Sequence, residues 1–201
     1  ERLVGSEMCI RDRFKVLRLK KNDYIQLFDG TGNYAKAKII EAKKQIIVLN
    51  VESVKKSLIV QNSKIISVMP VLKKNAFLFW IEKLTELGIE DIRVYRPYLI
   101  DQSIAKKNVN SLLEKAREVS ISACAQSGNN LIPQIQYYEN LDAFLSNSKE
   151  QVFVFDAKTR DSNTSDLQVK NSQASIFVLT GCESGFSLSL IHIWRCRRSL
   201  G

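Results

Sequence analysis

The first third of the chain alternates short apolar runs with turn or charged segments. Five runs rich in β-branched and aromatic residues predict β-strands over 14–19, 24–28, 34–41, 45–51 and 65–69. Between the second and third runs, the pair Asp29-Gly30 predicts a hairpin turn, because glycine accepts a positive φ without steric cost. Five short strands in so short a segment are typical of a small β-barrel.

From residue 70 the apolar positions follow a helical period. The spacing of Phe77, Trp80 and Ile81 predicts an amphipathic helix with these side chains in the core. Helices are predicted over 73–87, 107–127 and 141–145, and strands over 92–95, 152–155 and 175–179. Helices that alternate with largely apolar strands predict a parallel sheet covered on both faces.

The last predicted strand leads into a loop of small residues, TGCESGF at 180–186. Ligands of open α/β folds bind at the carboxyl ends of the strands, so this loop is the natural cofactor site. Its glycine spacing matches neither the phosphate-binding P-loop nor the dinucleotide-binding motif, which disfavours ATP and NAD. Taken alone, the loop is explained equally well as a tight turn.

Positive charge is concentrated near the beginning of the chain. The formal net charge is +9, and residues 13–65 hold twelve Lys and Arg against four Asp and Glu. Residues 66–187 hold thirteen basic against fourteen acidic residues. A local basic excess favours a polyanionic partner such as nucleic acid, the alternative being charge that only keeps the protein soluble.

Several kinds of catalytic and metal site are disfavoured because the residues they require are missing from most of the chain. The only histidine is His192, so residues 13–187 contain no base for Ser-His or Cys-His catalysis and no histidine metal ligand. Residues 13–187 contain only two cysteines, Cys124 and Cys182, which are too few for a zinc site or a disulfide framework. We therefore expect reduced thiols and no metal. The apolar runs are too short for a membrane span and no secretory signal is visible, so a cytoplasmic protein is expected.

The two ends differ in composition from the middle. Residues 1–12 and 188–201 contain Arg but no Lys, although Lys is abundant elsewhere. Both stretches resemble translated sequencing-adapter sequence, and we expect them to be non-native tails. The alternative is a natural basic tail.

Five motifs follow one another in the order found in a known enzyme family. They are FKVLRL at 14–19, LFDGTG at 27–32, KLTELG at 83–88, QSG at 126–128 with IP at 132–133, and LTGCESGFS at 179–187. Over 13–187 the chain thus resembles the bacterial 16S ribosomal RNA uracil-N3 methyltransferases, the RsmE family.

The resemblance implies an α+β protein of two domains. The first, over 13–69, is a PUA-like β-barrel that holds RNA, and the second, over 70–187, is an α/β methyltransferase domain of the SPOUT class. Proteins of that class carry a trefoil knot, a rare feature that composition would not suggest. They bind S-adenosylmethionine with the loops of the knot and form homodimers through it. The implied activity is S-adenosylmethionine-dependent methylation of a uridine N3 in 16S rRNA of the small ribosomal subunit.

The resemblance also implies site residues, without assigning a catalytic base. The cofactor-binding set is Leu179, Thr180, Gly181, Glu183, Gly185, Phe186 and, at the end of the preceding strand, Asp156. The RNA-binding set is Arg18, Lys20, Lys21, Lys43, Lys44, Lys83, Gln126 and Ser127. Simpler roles stay open for several of them: an exposed loop carboxylate for Glu183, capping for Asp156, a surface ion pair for Lys83, and packing or capping for Gln126 and Ser127.

The chain departs from the family pattern at the cofactor loop and at its end. Cys182 and Ser184 stand where the family has proline and glycine. A helix and a second ligand-binding stretch that the family carries beyond this loop are not recognisable, so we expect an incomplete and inactive methyltransferase domain. Two alternatives remain: a non-catalytic RNA-binding protein on the same scaffold, and a SPOUT methyltransferase that acts on tRNA.

Overall fold

The computed structural model describes residues 20–42, 47–57, 64–98, 108–146, 151–155, 175–181 and Phe186. The predicted first strand at 14–19, the tails, and the segments from which a knot would be built lie outside these residues. The described part of the chain forms two sheets, one antiparallel and one parallel.

The first sheet is an antiparallel meander of three strands. They are β1 (Tyr24–Phe28), β2 (Asn33–Ala42) and β3 (Ile47–Lys56), in the order β1-β2-β3. Strand β2 buries alternate residues, Ala35, Ala37 and Ile39, so one face of the sheet is covered and the other is open to solvent. The predicted hairpin at Asp29 is confirmed, since Phe28 pairs with Tyr34 across it.

The second sheet has five parallel strands in the order β6-β5-β4-β8-β7. The strands are β4 (Ile65–Pro70), β5 (Asp91–Tyr95), β6 (Gln134–Tyr138), β7 (Gln151–Phe155) and β8 (Ile176–Thr180). The helices are α1 (Lys74–Glu86), α2 (Val109–Ser127) and α3 (Leu141–Ser146). The predicted alternation of strands and helices around a parallel sheet is confirmed.

Strand β4 corrects one sequence-based assignment. Residues 65–69 form a strand as predicted, but it is not the fifth strand of a barrel. It lies at the centre of the parallel sheet, between β5 and β8. Five consecutive residues of this strand, 66–70, are buried, as expected of a strand covered on both faces. The chain therefore passes from the first sheet to the second between Lys56 and Ile65.

A hydrophobic core lies on each face of the parallel sheet. On one face, residues of α1 and α2 pack on β4 and β5; the buried members are Met69, Val71, Phe77, Ile81, Ile92, Val94, Leu112 and Ala116. On the other face, α3 packs over the sheet centre; the buried members are Ile66, Val68, Tyr95, Leu141, Phe144, Phe177 and Leu179. Burial of the Val, Leu, Ile, Phe and Met side chains among them contributes roughly 1.5–3 kcal/mol each.

Two details of this domain differ from the sequence-based prediction. Trp80 is 38% exposed and does not belong to the core. The buried stripe of α1 is Phe77, Ile81 and Thr85, and at 3.6 residues per turn Trp80 lies about 100° from its centre. Strand β6 was not predicted, although its Gln-Ile-Gln-Tyr alternation is the signal of a half-exposed strand at the edge of a sheet.

The two sheets are joined by a contact between the β1–β2 turn and the loop that follows α2. The N–H of Gly32 donates to the carbonyl of Asn130 at 3.0 Å, and the N–H of Ile132 donates to the carbonyl of Gly30 at 3.0 Å. The side chain of Asn130 also donates to Ser57 Oγ at 3.1 Å. Backbone hydrogen bonds in both directions therefore attach the first sheet to the second domain.

Candidate functional site

The carboxyl ends of three neighbouring strands, β4, β5 and β8, are tied together by side chains. The hydroxyl of Tyr95 donates to the carbonyl of Thr180 at 3.0 Å. The hydroxyl of Thr180 donates to the carbonyl of Val68 at 3.4 Å. The exit of β8 is thereby held at the edge of the sheet where α/β folds bind ligands.

The residue that follows β8, Gly181, lies against the ring of Phe186. A Cβ added at Gly181 would come within 3.0 Å of Cε2 of the Phe186 ring, closer than side chains normally approach. Phe186 in turn packs against the core cluster that contains Leu179. The sequence signal was the glycine itself; its close contact with Phe186 became visible only in the structure.

Four of the predicted cofactor residues are thus brought together at one edge of the sheet. Thr180, Gly181 and Phe186 are partly exposed there, whereas the side chain of Leu179 is fully buried and leaves only its backbone for a ligand. Asp156, Glu183 and Gly185, the other three predicted cofactor residues, lie outside the described residues.

Two of the predicted RNA-binding lysines are at the start of the first sheet. Lys20 and Lys21 are exposed next to a turn in which the N–H of Lys20 donates to the Asp23 carboxylate at 2.6 Å. Arg18, Lys43 and Lys44, three further predicted phosphate contacts, lie outside the described residues.

Lys83 forms ion pairs with two glutamates of its own helix. Its Nζ lies 2.9 Å from Glu82 Oε1 and 2.9 Å from Glu86 Oε1. Hydrogen bonds to Glu82 and then Glu86 raise the pKa of Lys83 above its ordinary value. This is the surface ion pair that the sequence left open as an alternative, and it reduces the charge that Lys83 offers to a phosphate.

The two predicted RNA-binding residues at the end of α2, Gln126 and Ser127, have different surroundings. Gln126 is exposed. The hydroxyl of Ser127 donates to the carbonyl of Ala123 at 2.8 Å and accepts from the N–H of Asn129 at 3.4 Å, as a helix end requires. The helix then ends at Gly128, whose φ of 76° is left-handed.

The structure also shows a basic and aromatic surface on β1 and β2, whose lysines are not in the RNA-binding set given above. Lys36 Nζ lies 4.1 Å from the centroid of the Tyr24 ring, and Lys38 Nζ lies 6.0 Å from it. The sequence contained a signal for this surface, because Lys36 and Lys38 alternate with the apolar residues Ala37 and Ile39, which the structure buries.

A metal-binding group and a membrane-spanning helix are both absent from the described residues. There, no group of three or more His, Cys, Asp or Glu is placed to hold a metal ion. No helix within those ranges is long and apolar enough to cross a membrane.

Comparison with protein families matches both parts of the chain. Residues 60–195 match a family model described as an RNA methyltransferase domain. Residues 14–52 match a model described as an RNA methyltransferase PUA domain. The second match ends before β4, in agreement with the position of that strand in the parallel sheet.

The relatives and solved structures to which the chain is similar are also named as RNA methyltransferases. The chain is 31% identical over 139 residues to the ribosomal RNA small subunit methyltransferase E of Buchnera aphidicola, covering 67% of this chain and 53% of the relative. It therefore spans about half the length of that relative.

Among solved structures, a predicted RNA methyltransferase from Thermotoga maritima has a TM-score of 0.74 at 25% identity, over 92% of this chain and 79% of that one. The ribosomal RNA small subunit methyltransferase E of Neisseria gonorrhoeae, solved with S-adenosyl methionine, has a TM-score of 0.73 at 21% identity, over 90% of this chain and 74% of that one. The second likeness concerns the fold alone.

Proposed function

The chain belongs to the RNA methyltransferase family, as its sequence motifs predicted, and on that premise we propose that the intact protein is an S-adenosylmethionine-dependent methyltransferase acting on N3 of a uridine in 16S rRNA. The observation that carries this proposal is the loop exit at the carboxyl edge of the parallel sheet, where Tyr95, Thr180, Gly181 and Phe186 meet within the matched residues. The names of the relatives support the small-subunit rRNA as substrate.

The residues at this edge suit an adenosine-bearing cofactor. Thr180 and Gly181 are partly exposed beside an apolar ring, that of Phe186, and small residues let a ligand approach the backbone closely. When bound, S-adenosylmethionine supplies a methyl group carried on a positively charged sulfur. Leu179, Thr180, Gly181, Glu183, Gly185, Phe186 and Asp156 are our proposed cofactor-binding residues.

Methylation at N3 requires that the base-pairing edge of the uracil be exposed and its N3 proton removed. The part of this chain in that task is chiefly positioning, which contributes roughly 7–11 kcal/mol in well-oriented reactions. The hydrogen bonds of Tyr95 and Thr180 hold the exit of β8 in one place. The contact between the β1–β2 turn and the loop after α2 holds the first sheet at a constant position relative to that edge.

RNA is proposed to bind mainly to the first domain, as the basic excess of residues 13–65 favours. Arg18, Lys20, Lys21, Lys43 and Lys44 are the proposed phosphate contacts, with Lys83, Gln126 and Ser127 as secondary candidates on the second domain. We further propose a homodimer in the cytoplasm, where ribosomal subunits are found.

Disruption of the gene in its host tests the activity. Primer extension along small-subunit rRNA stops at an N3-methylated uridine, because the modified edge no longer pairs. The stop is expected to disappear in the disrupted strain and to return when the intact gene is restored. A stop that persists after disruption would overturn the proposal, and a change confined to tRNA would identify the other methyltransferase class.

A further inference from the structure

The open face of the first sheet carries an ordered group of basic, aromatic and amide side chains. Tyr24 on β1 pairs in register with Lys38 on β2, and Lys38 pairs with Asn50 on β3. In the adjoining row, Lys36 pairs with Gln26 on one side and Ser53 on the other. The two rows cross all three strands and contain no carboxylate. We call these six residues the β-face patch.

The alternation of the strand directs this patch outwards. Ala35, Ala37 and Ile39 are no more than 1% exposed, so the residues between them must lie on the opposite face. The ammonium of Lys36 is held 4.1 Å from the centroid of the Tyr24 ring, within the range of a cation–π contact. Its side chain therefore has less conformational freedom to lose on binding than an unsupported surface lysine.

Among the described residues the charge of the patch has no ion-pair partner, in contrast to that of Lys83. Among the described residues, neither Lys36 nor Lys38 has a carboxylate within ion-pair distance. Lys83, by comparison, contacts two glutamates. Because an anion must compete with existing ion pairs, Lys36 and Lys38 are better placed than Lys83 to bind phosphate.

We propose that the β-face patch is an RNA-binding surface in which Lys36 and Lys38 contact the phosphate backbone and Tyr24 holds the Lys36 ammonium in position. Gln26, Asn50 and Ser53 are exposed beside them and offer hydrogen bonds to ribose or phosphate oxygens. RNA is the polyanion that the match of 14–52 to an RNA methyltransferase PUA model favours. This inference rests on the proposed function and adds to it a defined surface.

Salt dependence of RNA affinity tests the two lysines. Fluorescence anisotropy of a labelled single-stranded RNA is measured with the full chain, with Lys36→Gln/Lys38→Gln and with Lys115→Gln/Arg117→Gln as a matched control. The control removes the same charge from the exposed side of α2. Loss of two phosphate contacts is expected to lower the slope of log affinity against log salt by about 1.4 and to weaken binding on the order of tenfold at low salt. The control is expected to change neither value appreciably.

The role of Tyr24 has its own test. Tyr24→Leu keeps both lysines, so it is expected to weaken RNA binding by roughly two- to fivefold with little change in the salt slope. Tyr24→Phe keeps the ring and is expected to restore the affinity. If Leu and Phe variants bind alike, Tyr24 does not position Lys36.

The outcomes separate this proposal from the previous one. Absence of RNA binding by the unsubstituted chain would contradict an RNA-binding first domain altogether. RNA binding that the Lys36/Lys38 variant retains, with an unchanged salt slope, would overturn the β-face patch alone. Equal losses in the Lys115/Arg117 control would attribute the effect to net charge and would likewise overturn it.

Discussion

Gly30 lies so close to Ile132 that a Cβ added at residue 30 would come within 2.4 Å of Ile132 Cδ1. The two residues are also joined by a backbone hydrogen bond of 3.0 Å. Gly30 has a φ of +81°, a conformation that other residues adopt with strain. At residue 30, where the turn of the first sheet meets the second domain, a side chain would therefore require both a strained backbone and a shift of Ile132.

Substitution of Gly30 by alanine is expected to lower the free energy of unfolding by about 2–4 kcal/mol, because it combines backbone strain with overpacking. Gly128→Ala is the matched control, since its φ is +76° but nothing lies within 4 Å of the added Cβ. The control is expected to cost only about 1 kcal/mol. Urea unfolding followed by tryptophan fluorescence measures both.

Ile132 provides the partner for a double-mutant cycle. Ile132→Ala removes the atoms that the new Cβ would meet, so the double variant Gly30→Ala/Ile132→Ala is expected to lose less stability than the sum of the single changes. Strictly additive losses, or equal losses at Gly30 and Gly128, would contradict a steric contact at this joint.

The carboxylate of Asp29 is expected to make stability depend on pH below about pH 4. Burial alone would raise its pKa, but hydrogen bonds from the N–H and hydroxyl of Thr31 and from Asn33 outweigh it and lower the pKa from 3.8 to about 2. A depressed pKa stabilises the folded chain above the unfolded value, and this stabilisation is lost as the pH falls from about 4 towards 2.

The comparison of the chain with Asp29→Asn isolates this effect, because all other carboxylates are common to both. The variant is expected to be less stable at neutral pH and to lose less stability between pH 4 and pH 2. Unfolding free energies measured by urea titration at each pH test this. Parallel pH profiles would show that the Asp29 contacts do not contribute.

Removal of the Tyr95 hydroxyl is expected to loosen the exit of β8. Tyr95→Phe leaves the carbonyl of Thr180 without its donor at 3.0 Å, a loss of about 0.5–1.5 kcal/mol for a partly buried hydrogen bond. Hydrogen exchange at 180–181 is expected to become faster in this variant. Tyr138→Phe serves as control, because its hydroxyl contacts Gln136 at an exposed position. Unchanged exchange at 180–181 would mean that the hydrogen bond does not hold the loop.

Cys124 is expected to resist alkylation in the folded protein. Burial raises the pKa of its thiol from 9.0 to about 11, and the thiol donates to the carbonyl of Leu131 at 3.2 Å. Roughly a hundredfold less thiolate is then present at pH 8 than for an ordinary cysteine. Mass spectrometry of iodoacetamide-treated protein, with and without urea, tests this. Labelling at the same rate in both conditions would contradict the burial of Cys124.

Local sequence was sufficient for most of the elements. Phe28 and Tyr34 flank a turn whose Asp29-Gly30 pair already predicted the hairpin, and α2 ends at Ser127, the last residue of the helix predicted over 107–127. These features depend on residues within a few positions of one another, so pattern alone identifies them. The order of the five motifs also predicted the family, because a resemblance between sequences can be recognised without knowledge of packing.

Tertiary structure decided what depends on distant partners. The apolar residues 65–69 specify a strand but not its sheet, and only pairing with β5 and β8 places it at the centre of the second domain. Trp80 matches the helical period, yet its exposure depends on which side of α1 the sheet and α2 cover. The close contact that disfavours a side chain at residue 30 comes from Ile132, about a hundred residues away, since steric exclusion acts between neighbours in space and leaves no periodic trace in the sequence.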